Sequence, residues 1–301
     1  MRILHFDAGK EMRGGQWQAL RLIEGLASAG IESTLLAREG APLFLEARKG
    51  GWRVEPLGLM RAVKHARRHD LMHAHDARTH TMGAIVRGAP LVVARRVAFS
   101  IGAGGSGRRP AQLGSKWKYA RARHYVAVSE FVKQVLIAGG VPEEKISVVY
   151  DGVPIIDKTP GDRTHIVAVQ KGATLATEAA ALAGVPLTLV SHLETDLRGA
   201  SMLIYITHEE GLGSGALLAM SAGIPVIASN LGGLPEIVRH RETGLLVENN
   251  TAAIAAAIRE LLDNPDLARS LAAEARRTVL ERFTVQHMVR RTIEVYRKVL
   301  A

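Results

Sequence analysis

The sequence predicts an α/β protein built from two doubly wound parallel sheets. Short apolar runs rich in Val, Ile and Leu alternate with helical patterns from one end of the chain to the other, the signature of parallel sheets wrapped by helices. Glycine-rich turns join several of these runs to the helical pattern that follows, as in "GKEMRGGQ" and "THEEGLGSGALLAM". Near the middle, "DGVPIIDKTPGDRTH" carries two prolines, two glycines and no periodicity, which marks a linker. A chain of 301 residues fits two domains of about 150 residues each. The expected division is 1–153, 154–284, and a terminal helix at 285–301 that crosses back to the first domain.

In the first domain, strands are expected near 2–7, 32–37, 52–57, 71–75, 91–97, 124–129 and 146–150, each an apolar run of the length a buried parallel strand takes. The clearest helix between them is 16–29, with Leu20, Ile23 and Ala27 on one face and Gly30 closing it. After the linker, strands near 165–170, 187–191, 202–207, 225–229 and 244–247 alternate with helices near 174–183, 214–222 and 233–239. Helices at 252–263, 265–282 and 285–300 complete the chain. Ligands in such folds sit outside the carboxyl ends of the strands, so two facing domains would create a cleft lined by both sets of loops.

Composition narrows the function classes. Without cysteine there are no disulfides or thiolate metal sites, as suits a reducing cytoplasm. No run of about 20 apolar residues is present, so no transmembrane helix is expected, and "MRILHF" is too short for the apolar stretch of a signal peptide. The net charge of +10 allows nucleic acid, an anionic membrane or phosphorylated small molecules as partners. Aromatic residues make up only 4% of the chain, too few for base-stacking platforms, so nucleic acid is set aside. The basic segments "RAVKHARRH" and "RRPAQLGSKWKYARARH" read either as a solvated face or as a surface for membrane headgroups or an acidic acceptor.

Four motifs carry chemistry. In "GKEMRGGQ" the backbone at Gly14 and Gly15 can approach a ligand closely, and the helix N-terminus offers unpaired N–H groups to an anion; a plain strand-to-helix turn is the other reading. "IGAGGSG" has the G-x-G-x-x-G spacing, but "RRPAQLGS" follows where dinucleotide binding needs a helix. It reads as a loop with Arg108 and Arg109 at its tip. "HAHD" puts His73 and His75 on the same side of a strand; with no third ligand indicated nearby, a hydrogen-bonding histidine at the strand end, His75, is preferred to zinc. In "SMLIYITHEEGLGSGALLAM" an apolar strand runs into a turn bared by Gly211, Gly213 and Gly215. Ser214 is placed to cap the next helix and Glu210 sits at the mouth of an N–H-lined pocket. The turn "SNLGGLPEIV" is expected to open another helix and make a second anion-binding concavity.

The stretch "EEGLGSGALLAMSAGIPVIASNLGGLPEIVRHRETGLLV" resembles the donor-site signature of retaining glycosyltransferases of family 4. "GGQWQALRLIEGLASAGIESTLLAR", "LMHAHD", "VAVSEFVKQVLIAGGVPEEKISVVYDGV" and the closing helices are similar to the same family, and "ARRVAFS" is similar to members acting on lipopolysaccharide or other cell-envelope glycans. The resemblance implies a GT-B fold of two Rossmann-like domains, the second shortened. It also implies sugar transfer from a nucleotide-diphosphate donor, such as a UDP- or GDP-sugar, to a hydroxyl of a glycan or lipid-linked acceptor. No cofactor and no metal are implied, and the place of work would be cytoplasmic, peripheral at the inner membrane face. By position, His75 and Glu210 are the catalytic candidates. Donor contacts would fall to Gly14, Gly15, Lys171, Glu210, Gly211, Leu212, Gly213, Ser214, Gly232 and Gly233, and acceptor-side contacts to Arg95, Arg96, Arg108 and Arg109. Three features depart from the pattern. Leu218 stands where the family has a second carboxylate for the ribose, Ile166 replaces an arginine, and the interval from Lys171 to Glu210 lacks a strand–helix unit. Two functions therefore remain open, an active transferase and a catalytically weak relative that binds a glycan, a nucleotide or a partner protein.

Overall fold

The computed structural model describes residues 1–99, 112–157 and 165–301, and of residues 112–116 the backbone alone. The glycine-rich stretch at 101–107, Arg108, Arg109 and linker residues 158–164 lie outside the described residues. The chain divides into two compact units, Met1–Gly152 with Val285–Ala301, and Val153–Thr284.

In the first unit, β1 (Arg2–Asp7), β2 (Glu32–Ala37), β3 (Val54–Pro56), β4 (Leu71–Ala74), β5 (Leu91–Arg95), β6 (His124–Ala127) and β7 (Ile146–Val148) form one parallel sheet in the order β3-β2-β1-β4-β5-β6-β7. The crossovers are α1 (Gly14–Ser28), α2 (Pro42–Lys49), α3 (Leu59–Ala66), α4 (Ala77–Ile85), α5 (Gln112–Arg121) and α6 (Glu130–Ala138). The strand order reverses between β1 and β4, and their register sets His5 beside His73.

Helix α1 is buried on two sides. Leu20 and Ile23 join Leu35, Leu43 and Phe44, while Leu22 and Leu26 join Ile3, Leu71 and Val92; Ala27, expected on the buried face, is exposed. Of the three C-terminal helices, α10 (Thr251–Asp263), α11 (Pro265–Arg282) and α12 (Val285–Leu300), the last completes the first unit's core with Met288, Val289, Val295, Tyr296 and Val299. The approach to α1 is close, since a Cβ on Gly25 would fall 2.3 Å from a Val289 methyl.

The second unit holds β8 (Ile166–Val169), β9 (Thr188–Val190), β10 (Met202–Tyr205), β11 (Val226–Ser229) and β12 (Leu245–Val247), all parallel, in the order β12-β11-β10-β8-β9. Helices α7 (Ala173–Ala183), α8 (Leu193–Asp196) and α9 (Ser214–Ser221) connect them, with α10 and α11 after β12. Here the order reverses between β8 and β10. The core runs from Ile166 and Ile204 through Ile227 and Leu245 to Ile254 and Ile258. The helix expected at 233–239 is only a 3-10 turn, Leu234–Glu236, because Gly232 and Gly233 are packed into the neighbouring turn and Pro235 leaves few backbone donors. Among the described residues no helix is long and apolar enough to cross a membrane.

Candidate active site

In each unit the polar side chains gather where the sheet reverses, the place at which a doubly wound sheet opens a crevice beyond its strand ends. In the first unit β1 ends at Asp7, whose carboxylate is almost fully buried. It accepts from Gly9 N at 2.7 Å and from Gln16 Nε2 at 3.1 and 3.2 Å, so the first turn of α1 is tied to the strand it follows. Burial pushes the Asp7 carboxyl up to about 6, and the charge of Asp76 adds to the rise. Asp76 in turn caps α4 through Arg78 N and Thr79 N and accepts from Ala8 N at 2.6 Å, fixing the loops after β1 and β4 against each other.

His75 follows β4 and is buried. Its Nε2 lies 3.0 Å from His5 Nδ1 and its Nδ1 lies 3.4 Å from Arg96 Nη1. A guanidinium only donates, so His75 Nδ1 is the acceptor and Nε2 carries the proton given to His5. Both ring nitrogens are thus occupied, and giving a hydrogen bond to a substrate requires one of these partners to yield. Arg96 also reaches Asp151 Oδ1 at 3.3 Å, while Arg95 turns to the Tyr119 hydroxyl and the Phe99 carbonyl. Gly15 stands beside Arg96, with 3.9 Å between its would-be Cβ and Arg96 Cδ.

The histidine pair expected from "HAHD" is a triad. His5 brings a third imidazole, and one nitrogen from each of His5, His73 and His75 falls within 4.8 Å of the others. His73 Nδ1 pairs with the Tyr296 hydroxyl at 2.6 Å. The alternation that pairs His73 with His75 says nothing of the neighbouring strand, and strand register alone brings His5 to them. Burial drives all three imidazoles well below their usual pKa, His5 to about 3, so they are neutral. The Arg96 guanidinium beside them opposes a cation.

In the second unit Lys171 follows β8 and Glu210 follows β10, one on each side of the reversal. Lys171 Nζ sits 3.1 Å from Glu210 Oε2, and the buried Tyr205 hydroxyl donates to the same oxygen at 2.9 Å. The other oxygen accepts from Gly211 N at 3.2 Å. Glu210 keeps 13% of its side chain exposed and Lys171 60%. The turn beneath them is rigid: a Cβ on Gly233 would meet Gly211 O at 2.1 Å and one on Gly232 would meet Glu210 O at 2.2 Å, so only glycine fits. Beside it, Ser229 Oγ and Asn249 clasp the end of β10 at Thr207. Leu212 is buried. Ser214, expected as the cap of α9, is its first residue; the cap is Gly213, at φ +105°, with no side-chain acceptor. Leu218 is 7% exposed on a helix buried all round, and Ile166 lies in the core.

Two family models match the chain, Glycosyltransferase Family 4 over residues 12–155 and Glycosyl transferases group 1 over residues 188–278. The chain belongs to the family-4 glycosyltransferases. It has the GT-B fold with a shortened second domain: it is similar to Anabaena HepE, solved in complex with UDP-glucose, at a TM-score of 0.86, with 16% identity over 99% of this chain and 100% of that one. Among curated relatives, the alpha-maltose-1-phosphate synthase of Mycolicibacterium smegmatis is 38% identical over 112 residues, 35% of this chain and 29% of that protein. A GDP-mannose-dependent alpha-(1-6)-phosphatidylinositol monomannoside mannosyltransferase of Mycobacterium tuberculosis is 45% identical over 83 residues, 27% of this chain and 20% of that protein. The matches therefore span less than a third of these curated relatives.

Proposed function

We propose that this chain transfers a sugar from a nucleoside-diphosphate donor, with retention at the anomeric carbon, to a hydroxyl of a cell-envelope glycan or lipid acceptor, working at the cytoplasmic membrane face without a metal. The observation that carries the reading is the Lys171–Glu210–Tyr205 cluster at the β8/β10 reversal. The departing diphosphate develops negative charge, and a cation with helix N–H groups offsets it; Lys171 and the first turn of α9 supply these. Glu210 is an acceptor for donor-sugar hydroxyls, with Gly14 and Gly15 at the start of α1 open to the diphosphate. His75 belongs beside the transferred sugar, where it acts by giving up one of its two partners. Arg95 and Arg96 are already engaged by neighbours, and in this reading they shape the acceptor side. A second reading, a relative that binds a nucleotide or glycan with little turnover, draws on Leu218, which offers no acceptor to a ribose.

A panel of UDP-, GDP- and ADP-sugars tests both. One donor should give slow hydrolysis and a rise in melting temperature. Glu210→Ala should weaken that sugar nucleotide more than the free nucleotide, whereas Lys171→Met should weaken both, each by roughly tenfold for a lost charge-assisted hydrogen bond. Binding without hydrolysis or transfer selects the second reading; no response to any donor refutes both.

A further inference from the structure

At the opposite end of the first sheet from His75 and Arg96, the amino ends of β4, β5 and β6 border an open-mouthed cavity of about 390 Å³. Its lining includes Arg87, Arg121, Arg123 and Lys145 with the apolar Val86 and Leu91, and no acidic residue lines it. Among the described residues none of these four cations has an ion pair or a side-chain hydrogen bond. This sets them apart from Lys133, held 2.8 Å from Glu143, and from Arg277, held by Glu274. The surface extends further, because Gly88 lies against the backbone of Ala66 and Arg67, bringing the exposed Arg67 and Arg68 alongside. Arg67 and Arg68 of the first basic segment thus lie near the cavity that Arg121 and Arg123 of the second one line.

Like charges gathered around a low-dielectric floor repel one another and focus a positive potential into the space between them. A guanidinium fork pairs bidentately with two oxygens of a phosphate group, and the cavity offers three such forks without a carboxylate among them. We propose that this cavity binds a phosphate ester, its phosphate against Arg87, Arg121 and Arg123 and its apolar portion on Val86 and Leu91. The site is separate from the Lys171–Glu210 cluster and does not depend on the transferase reading.

The experiment measures binding of the intact chain to glycerol phosphate in solution and to phosphatidylglycerol vesicles. Combined Arg87→Gln, Arg121→Gln and Arg123→Gln should weaken binding about tenfold or more. The separate variant Ala89→Glu, which places an anion in the wall, should do the same. A control lacking three charges elsewhere, Arg48→Gln, Arg290→Gln and Arg297→Gln, should bind within about twofold of the parent, since screening confines each charge to its neighbourhood. Melting temperatures accompany every variant. Loss seen with vesicles alone assigns the phosphate to a lipid headgroup, and loss seen also with glycerol phosphate assigns it to soluble phosphate esters as well. No binding of either probe, or equal weakening in the control, overturns the proposal.

Discussion

Glu210 Oε2 takes two donors at once, the Lys171 ammonium and the Tyr205 hydroxyl, and this fixes the carboxylate in one rotamer before any ligand arrives. Tyr205 is buried, and burial pushes its hydroxyl well above the ordinary phenol pKa, so it stays a donor at every working pH. Leu218, further along on α9, is buried on a helix whose residues from Gly215 to Ser221 are all buried. Leu218→Glu should therefore place a carboxylate without a partner in the core and lower unfolding free energy by roughly 2–4 kcal/mol, measured by urea denaturation. Tighter nucleotide binding with unchanged stability would instead mean that the new carboxylate reaches the ligand, and that the leucine is a simple loss of a ribose contact.

At the scale of elements, β1, β4, α4, β6 and the turn after β4 carry the buried histidines His5, His73, His80, His124 and His75. Burial lowers each pKa, to about 3 for His5 and to about 4 for His80 and His124. In the unfolded chain these groups take protons near 6.5, so between 6.5 and about 4 the unfolded state binds more protons and stability falls as pH falls. Each should contribute a loss of roughly 2 kcal/mol by pH 5. Asp7 works in the other direction: its folded pKa is raised from 3.8 to about 6, so its contribution is lost as pH rises through 6, and Asp7→Asn should stabilise the protein at pH 7. Unfolding curves at pH 5, 6 and 7 for both proteins check the two signs. A stability that is flat from pH 7 to 5 in Asp7→Asn would refute the neutral, buried state of the histidines.

For the molecule as a whole, α12 decides whether the first unit can close its core. Met288, Val289, Val295, Tyr296 and Val299 are buried with residues of β1, α1, β4, β5 and β6, and Tyr296 holds His73. Deleting 285–301 should remove this layer together with the partner of a buried imidazole. The first unit should lose its cooperative transition and bind a hydrophobic dye, while the second unit's packing of Ile204, Ile227 and Ile258 is untouched. Retention of two cooperative transitions by calorimetry would show that α12 is dispensable.

Much of the fold is written locally. The runs at 2–7, 32–37, 166–169 and 226–229 are apolar over the length of a strand buried on both faces, and the period of 251–263 and 265–282 marks helices. That pattern is enough to give an α/β chain of parallel sheets, and the glycine pair after β11 is legible because Gly232 and Gly233 pack against the Glu210 and Gly211 carbonyls, where a Cβ has no room. Where local pattern and packing disagree, packing wins. The 233–239 segment has helical composition but becomes a 3-10 turn because two glycines are pressed against the 210–211 backbone. Ala27 keeps the helical period yet faces solvent, since α1 is clasped from two other sides. The partners of the candidate site come from distant elements: His5 beside His73 through strand register, Asp151 beside Arg96, Tyr205 and Lys171 on one oxygen of Glu210. No periodicity within a single element encodes such neighbours. The sequence by itself determined which segments are strands and helices, because burial on one or two faces leaves a periodic trace; only the tertiary structure decided which polar side chains meet, because that depends on strand order and register between segments far apart in the chain.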